Sequence, residues 1–401
     1  MLYVVSQFFK VLGFVLHTIP MGIWFAGLPL AILCLIWNGR NSSRFARRIF
    51  CQLPIMLAIG INFGIVPLLF TQTLFYKPFY TATILMAWHW FAVIPILIVG
   101  YYSVYLAAFS VAAKPSIQNA KKTNKRNKNS SASNTFTIIF GVIASACLIA
   151  IGIMIVNGQT LMVRQDLWAT IMERTGFYGA TTGLANNMSD PSVWIRLSTV
   201  FAISMITAAV WCIFDSHFLL QKINGANNAN NTNNIDEANN IDVAYRRWTL
   251  LFAGVVTAIA LFGLALIGCV AAVFKITGFV AAKISDLPVT ELSFLIALIV
   301  LLAIVFILTL AMCLCVGLRG KILVALVVFS HVAALGCFGI LRQLGQNMQL
   351  HKYVESAQYL SIQWEAFIPF LIIFVIGAIV VGWMLRQIVV SRNIESVINK
   401  S

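Results

Sequence analysis

Apolar runs of about 20 residues or more recur along the whole chain, and they constrain its fold more than any other feature. Each is long enough to cross the hydrocarbon core of a bilayer as a helix. Backbone hydrogen bonds in lipid must be satisfied internally, and the runs lack the alternating pattern of a membrane barrel. The sequence therefore predicts an all-α, polytopic membrane helix bundle with about nine transmembrane helices, at 11–37, 51–75, 80–113, 135–157, 193–214, 248–274, 291–316, 322–345 and 365–388.

Positive charge is distributed unevenly between the two ends of these runs. One side carries 18 of the 27 Lys and Arg residues, from Arg40, Arg44, Arg47 and Arg48 to Lys400. Because cytoplasmic loops carry the excess of Lys and Arg, this predicts an external N-terminus and a cytoplasmic C-terminus. The same distribution accounts for the net charge of +15 without a nucleic-acid partner, since the cations lie in short loops between apolar runs.

Three loops divide the chain into segments. Helices 1–3 occupy 1–113 and are followed by a basic linker at 114–134; helices 4–5 occupy 135–220, and helices 6–9 occupy 248–401. The Asn-rich stretch 221–247 has the composition of a disordered cytoplasmic loop. The external segment 158–192 is different, because Leu161, Leu167, Trp168 and Ile171 fall near one helical face, which predicts a helix at the membrane surface.

The positions of the acidic residues and the missing catalytic motifs disfavour several classes of transporter and enzyme. Asp215, Glu291 and Glu365 all fall at the ends of runs, which disfavours a transporter driven by an intramembrane carboxylate. The chain also lacks a Walker motif, GxSxG and HExxH, and its cysteines are typical of small buried apolar residues.

Three histidines, His17, His89 and His331, lie within apolar runs, where an imidazole needs a partner. A rise of about 1.5 Å per residue puts His17 about 10 Å, and His89 about 13 to 15 Å, below the outer ends of their runs. Their depths are then similar. A haem iron is one possible partner for such a histidine, and a hydrogen bond within the protein core is the alternative.

Several stretches resemble subunit I of cytochrome bd-type quinol oxidases. In the first two helices these are Leu16-His17, Gly22, Gly27, the run Trp37 to Arg40, the run Arg44 to Arg48, Gly60-Ile61-Asn62-Phe63-Gly64 and Gln72. The run Asp190 to Val200 resembles the entry to the family's fifth helix. The chain departs from the family at Ser198, which stands in place of a haem-ligating histidine, at helix three, which lacks the family's glutamates, and at the short external loop 275–290.

The resemblance implies one or two b-type haems near the outer face, with His17 as the first candidate axial ligand, His89 as the second and His331 as the third. Arg164, Arg196 and Arg342 would neutralise haem propionates, or would instead be anchors that extend to the membrane surface. Gln72 joins the candidate cofactor-binding residues through the matching motif.

The expected function is that of a b-type cytochrome-like subunit of the bacterial inner membrane. It would transfer electrons in a respiratory complex, with membrane lipid, other membrane subunits or cytochromes, and a quinone as partners. The competing interpretation is a haem-free scaffold subunit, or a channel or permease for a small neutral solute lined by Asn62, Thr71, Gln72 and Thr73.

Overall fold

The computed structural model is an all-α bundle, as the hydropathy pattern predicts. It describes residues 2–112, 126–220, 232–273, 289–314 and 320–353, together with short helical stretches between 368 and 383. Eight helices in these ranges are long and apolar enough to cross a membrane, and they correspond to the first eight predicted spans. About half of the ninth predicted span lies outside the described residues. That span stays a prediction, as does the orientation of the termini.

Eleven helices follow one another in the described ranges up to residue 353. They are α1 (Leu2–Gly22), α2 (Leu28–Trp37), α3 (Arg40–Leu74), α4 (Tyr76–Leu85), α5 (Ala87–Ala112), α6 (Arg126–Val163), α7 (Trp168–Thr175), α8 (Pro191–Phe214), α9 (Thr232–Val273), α10 (Val289–Leu314) and α11 (Lys321–Gln349). Two short strands, β1 (Gly176–Phe177) and β2 (Ala180–Thr181), pair antiparallel. The segments Ile23–Gly27 and Asp215–Leu219 are π-helical.

The helices α1 and α2 form one continuous rod, joined by the π-helical segment Ile23–Gly27, which is fully buried. This rod packs against α3, α8 and α11 and forms the centre of the bundle. Its first helical residue is Leu2, nine residues before the predicted start at 11. Lys10, which hydropathy alone assigns to a terminal tail, is therefore inside the bundle.

The basic stretch between the first two spans is helical and forms the first turns of α3. Cations at a helix N-terminus are unfavourable for the helix dipole, and nearby carboxylates compensate for them here. Arg44 makes an ion pair with Asp242 at 2.7 Å, and Arg48 makes a two-pronged ion pair with Asp215. Asp215 is only 3% exposed, so this second pair is part of the interior.

The predicted span 80–113 is interrupted, because the chain breaks at Met86 between α4 and α5. Two backbone hydrogen bonds hold the break: Trp88 N donates to Gly183 O at 3.1 Å, and Ala185 N donates to Leu85 O at 3.0 Å. Contacts from the segment 158–192 thus hold the position where α5 begins.

The segment 158–192 contains the end of α6, then α7, and then the hairpin of β1 and β2. Tyr178 and Gly179 form the hairpin turn with φ angles of 49° and 78°, in the left-handed region. The helix α7 contains Trp168 and Ile171, two residues of the predicted surface helix. Its position at the membrane surface stays a prediction.

The two predicted linkers differ in part from the structure. The helix α6 begins at Arg126, within the basic linker, and α9 begins at Thr232, within the Asn-rich segment. Residues 113–125 and 221–231, which include the rest of both linkers, lie outside the described residues.

Candidate cofactor site

The imidazole of His17 connects α1 to α3. Its Nδ1 lies 2.7 Å from the carbonyl oxygen of Gly60. Because a carbonyl oxygen can only accept, this contact places the proton on Nδ1 and leaves the lone pair on Nε2. No described residue forms a hydrogen bond with Nε2. A histidine held in this way through Nδ1 has the tautomer and the fixed ring orientation that metal-ligating histidines have.

Two glycines of α3 provide the space for this imidazole. A Cβ atom added to Gly64 would lie 2.8 Å from Nδ1 of His17, which is closer than real Cβ contacts allow. A Cβ added to Gly60 would collide with the ring of Trp24, and that ring lies 5.8 Å from the His17 ring in an edge-on arrangement. The glycine spacing in the sequence Gly60-Ile61-Asn62-Phe63-Gly64 thus forms a cradle for His17.

Lys10 is one heptad before His17 and is only 1% exposed. Its Nζ donates to Gln346 Oε1 at 2.5 Å and lies 4.7 Å from the centroid of the Phe75 ring. Both partners are neutral. A buried ammonium group is costly without a negative partner, so this position favours an anion beside it.

Arg342 and Arg196 bring further positive charge to the same end of the bundle. The guanidinium of Arg342, on α11, lies 4.6 Å from the ring of Phe14, which is on α1 between Lys10 and His17. On α8, Arg196 donates to Gln349 Oε1 at 3.1 Å. No carboxylate forms an ion pair with Lys10 or Arg342 among the residues that the structure describes.

Arg164 differs from these cations because its charge is already compensated. It makes ion pairs with Asp166 at 2.9 Å and with Asp190 at 2.7 Å. The hydrogen bonds with Asp166 raise the pKa of Arg164 and lower the pKa of Asp166. Burial alone would raise the pKa of Asp190, but hydrogen bonds from Ser192 and Asn187 and the charge of Arg164 hold it below its ordinary value.

The predicted similarity in depth of His17 and His89 is wrong. His17 is 15 residues, about 22 Å, from the start of α1, whereas His89 is two residues, about 3 Å, from the start of α5. Trp90, the residue after His89, packs against Phe79 in one apolar cluster with Phe75, and the ring of Phe75 lies beside Lys10. His89 is therefore closer to the level of Lys10, which is seven residues or about 10 Å before His17 in α1. The Nδ1 of His89 is buried without a hydrogen-bond partner.

His331 and Gln72 are the two remaining candidate residues. His331 is 3% exposed, and its Nε2 lies 2.9 Å from the hydroxyl of Thr207. That hydroxyl donates to Ile203 O, so it accepts from His331, whose Nδ1 is then a buried atom without a partner. Gln72 is half-buried in the last turns of α3, eight residues beyond Gly64.

The donor set is compatible with a porphyrin iron rather than with a metal ion held by side chains alone. In the described ranges no three His, Cys, Asp or Glu residues come together. A histidine is a common axial ligand of haem iron, and cations can pair with haem propionates. His17, whose Nε2 forms no hydrogen bond with a described residue, and the cations Lys10 and Arg342 are residues of these two kinds. Lys10 is the residue that sequence reasoning missed, although its spacing of seven from His17 places both on one helical face.

Comparison with known proteins provides evidence for the fold. No protein-family model and no curated protein matches the sequence. Among solved structures, the chain is similar to a chain of the bd oxidase from Geobacillus thermodenitrificans, with a TM-score of 0.57 and 11% sequence identity over 96% of this chain and 98% of that chain. The bundle therefore has a bd-oxidase-like fold along nearly its whole length.

Proposed function

We propose that this protein is a haem-binding membrane subunit of the respiratory oxidase type, in which Nε2 of His17 is an axial ligand of a b-type haem. The observation that carries this proposal is the hydrogen bond from Nδ1 of His17 to Gly60 O, because it fixes the tautomer that iron ligation requires. The similarity of fold to a bd oxidase supports the same class of function.

Lys10 and Arg342 would hold the propionates of this haem, and Arg196 would contribute further positive charge. All three belong to helices of the bundle centre, α1 and its neighbours α8 and α11, and Lys10 is nearly completely buried beside neutral partners. A propionate would supply the negative charge that Lys10 lacks. Arg164 is a weaker candidate than its charge alone suggests, since Asp166 and Asp190 already compensate it.

A b-type haem bound at this position would supply one-electron redox chemistry. The chain's own residues would orient the imidazole through Gly60 and exclude water through the apolar helices around α1. We assign the protein to electron transfer with other membrane subunits or cytochromes, because no described carboxylate contacts His17 to deliver protons for oxygen reduction. The bacterial inner membrane is the compartment this role implies.

Optical spectroscopy of the purified protein tests the proposal. A reduced-minus-oxidised spectrum with the bands of b-type haem is expected, and His17→Ala should remove them. His351→Ala is the matched control, since His351 is exposed just beyond the end of α11 and its loss should leave the haem content unchanged. A colourless wild-type preparation, or a His17→Ala variant with full haem content, would refute the proposal.

The permease interpretation receives no support from the residues proposed to line its path. Thr71 is buried, whereas Asn62 and Thr73 are exposed on the outside of α3. The side chains of all three donate to carbonyl oxygens of their own helix. They do not share one face, so they would not form one continuous lining. A haem-free scaffold is the outcome that a colourless preparation would favour.

A further inference from the structure

The indole of Trp24 packs edge-on against the imidazole of His17. The two ring centroids lie 5.8 Å apart, and the ring planes are inclined by 65°. Trp24 follows His17 by about two helical turns, and long side chains in a helix lean toward its N-terminus. The indole therefore reaches back across the turn that contains Pro20 and approaches the imidazole.

Trp24 is itself held in a notch of α3. Its six-membered ring occupies the space that a Cβ atom on Gly60 would need, and the ring of Pro20 lies 3.2 Å from the same position. Gly60 thus serves both aromatic rings, because its carbonyl oxygen accepts from Nδ1 of His17 and its missing side chain makes room for Trp24. Trp24 is only 6% exposed, so this contact belongs to the bundle interior.

The π-helical segment that carries Trp24 is packed closely against α8. Gly22 precedes the segment and Gly27 ends it. A Cβ atom on Gly22 would collide with Thr207, and one on Gly27 would lie 3.5 Å from Ala208. The whole segment is buried and packs against α3 as well as α8, and interiors of this kind are close-packed. The indole is therefore fixed in position.

A hydrogen bond at one atom does not fix the plane of the His17 ring. The bond from Nδ1 to Gly60 O tolerates a tilt of about 30° without much loss of strength. A second contact, made by a rigid aromatic ring, removes much of this freedom. Ring orientation matters for a metal ligand, because groups around a ligating histidine set both its tautomer and its orientation.

We propose that Trp24 is a positioning residue that fixes the plane of the His17 imidazole, so that Nε2 points in one direction. The use of this orientation rests on the proposed function, in which Nε2 is an axial ligand of haem iron. The orientation itself is a property of the protein without haem, and it can be measured there.

Heteronuclear NMR of isotope-labelled histidines tests the proposal without a cofactor, on full-length protein purified from haem-deficient cells into lipid nanodiscs. The His17 signals, identified by their loss in His17→Ala, should show one species with the proton on Nδ1. Trp24→Leu should broaden or double them, and Trp24→Phe, which retains an aromatic ring, should largely restore them. Phe25→Leu is the matched control, because Phe25 is 5% exposed in the same π-helical segment but packs against Phe201. Unchanged signals in Trp24→Leu, or equal changes in Phe25→Leu, overturn the proposal.

A pair of substitutions tests the contact through stability alone. Gly60→Ala should destabilise the protein, because its Cβ meets the indole of Trp24. Trp24→Ala empties the notch, so the double variant should be more stable than the sum of the two single losses predicts. Thermal unfolding in detergent measures this coupling, and strictly additive losses overturn the assigned contact.

Electron paramagnetic resonance of the ferric haem protein gives the functional readout. Trp24→Leu should still bind haem, because His17 is intact, but about two- to tenfold more weakly and with a broadened low-field signal. The two proposals fail separately. A colourless wild type whose His17 NMR signals broaden in Trp24→Leu refutes the haem site alone, and a haem protein whose NMR and paramagnetic spectra ignore Trp24→Leu refutes the positioning role alone.

Discussion

Lys10 and His17 lie seven residues apart on one face of α1, and both contact helices on the inside of the bundle. Lys10 contacts Gln346 of α11 and the ring of Phe75, while His17 contacts Gly60 of α3. Seven residues of helix correspond to about 10 Å. A rigid element therefore holds a buried cation and a metal-competent imidazole at a fixed separation, and substitutions can test the two groups independently.

Enlarging Gly64 should displace the His17 ring. In Gly64→Val the new side chain would occupy the position of Nδ1, since even a Cβ comes within 2.8 Å of it. We expect a loss of about 1 to 3 kcal/mol in the free energy of unfolding and a several-fold lower haem content. Haem per protein, measured by pyridine haemochrome, checks this. Gly263→Val is the control, because nothing lies within 4 Å of its added Cβ, and equal haem loss in both variants would contradict the prediction.

Replacing Lys10 should separate cofactor binding from stability. Lys10→Met removes a buried charge whose partners are neutral, so the haem-free protein should be as stable as the wild type or more stable by about 1 kcal/mol. Haem affinity should nevertheless fall, and Lys10→Arg should restore part of it. Thermal unfolding of the haem-free variants and haem titration give the two readouts. A clear destabilisation of haem-free Lys10→Met would show that Lys10 is structural.

The ion pair of Arg48 and Asp215 should contribute much more stability than that of Arg164 and Asp166. Asp215 is 3% exposed and also accepts from Gln52 at 2.6 Å, so Asp215→Ala leaves Arg48 without its partner in the interior. We expect a cost of about 3 kcal/mol. Asp166→Ala, whose carboxylate side chain is 62% exposed, should cost less than about 1 kcal/mol. Thermal unfolding in detergent gives the comparison, and similar losses would contradict it.

The segment 158–192 should become less stable in acid. The pKa values of Asp166 and Asp190 are lowered in the folded protein, so their stabilising effect is present at neutral pH and is lost as the pH falls through those values, below the ordinary pKa of about 3.9. The protection factors of residues 164–190, which correct hydrogen exchange for its intrinsic pH dependence, should therefore fall below about pH 4. Asp190→Asn should show lower protection factors already at neutral pH, and wild-type protection factors that do not change with pH would contradict this account.

Reporter fusions test the orientation that the charge distribution predicts. Fusions at Asn129 and Asn228 should both report the cytoplasm, because each falls in a linker predicted from the sequence to lie on the side with excess Lys and Arg. A reporter at either position that is active outside the membrane would contradict the predicted external N-terminus. A fusion after Asn399 tests the ninth span in the same way.

Sequence reasoning was most accurate where the signal is local. Hydropathy predicted the eight spans that the structure describes, since twenty apolar residues need no distant partner to be recognised. It failed at helix ends such as Arg48 and Lys10, which look like loop or tail residues until their partners are known. Those partners, Asp215 and Gln346, are more than 160 residues away in the chain.

The candidate site was predictable in part for the same reason. His17 could be recognised from its position in an apolar run and from the glycine pattern of α3 that forms its cradle. The depth of His89 could not, because α5 begins where Gly183 and Leu85 hold the break at Met86. That geometry depends on contacts across almost 100 residues of sequence.

The π-helical segment Ile23–Gly27 has a consequence for how the two halves of the long central rod are aligned. An extra residue in a helical turn advances everything after it by about 100° around the axis. Deleting one residue there would let the rod become uniformly α-helical, and the face that Leu28–Trp37 presents to α3 and α6 would rotate away from its neighbours. The π-helical segment thus sets the rotation between α1 and α2, so that each half of the rod packs its own face against its own neighbouring helices.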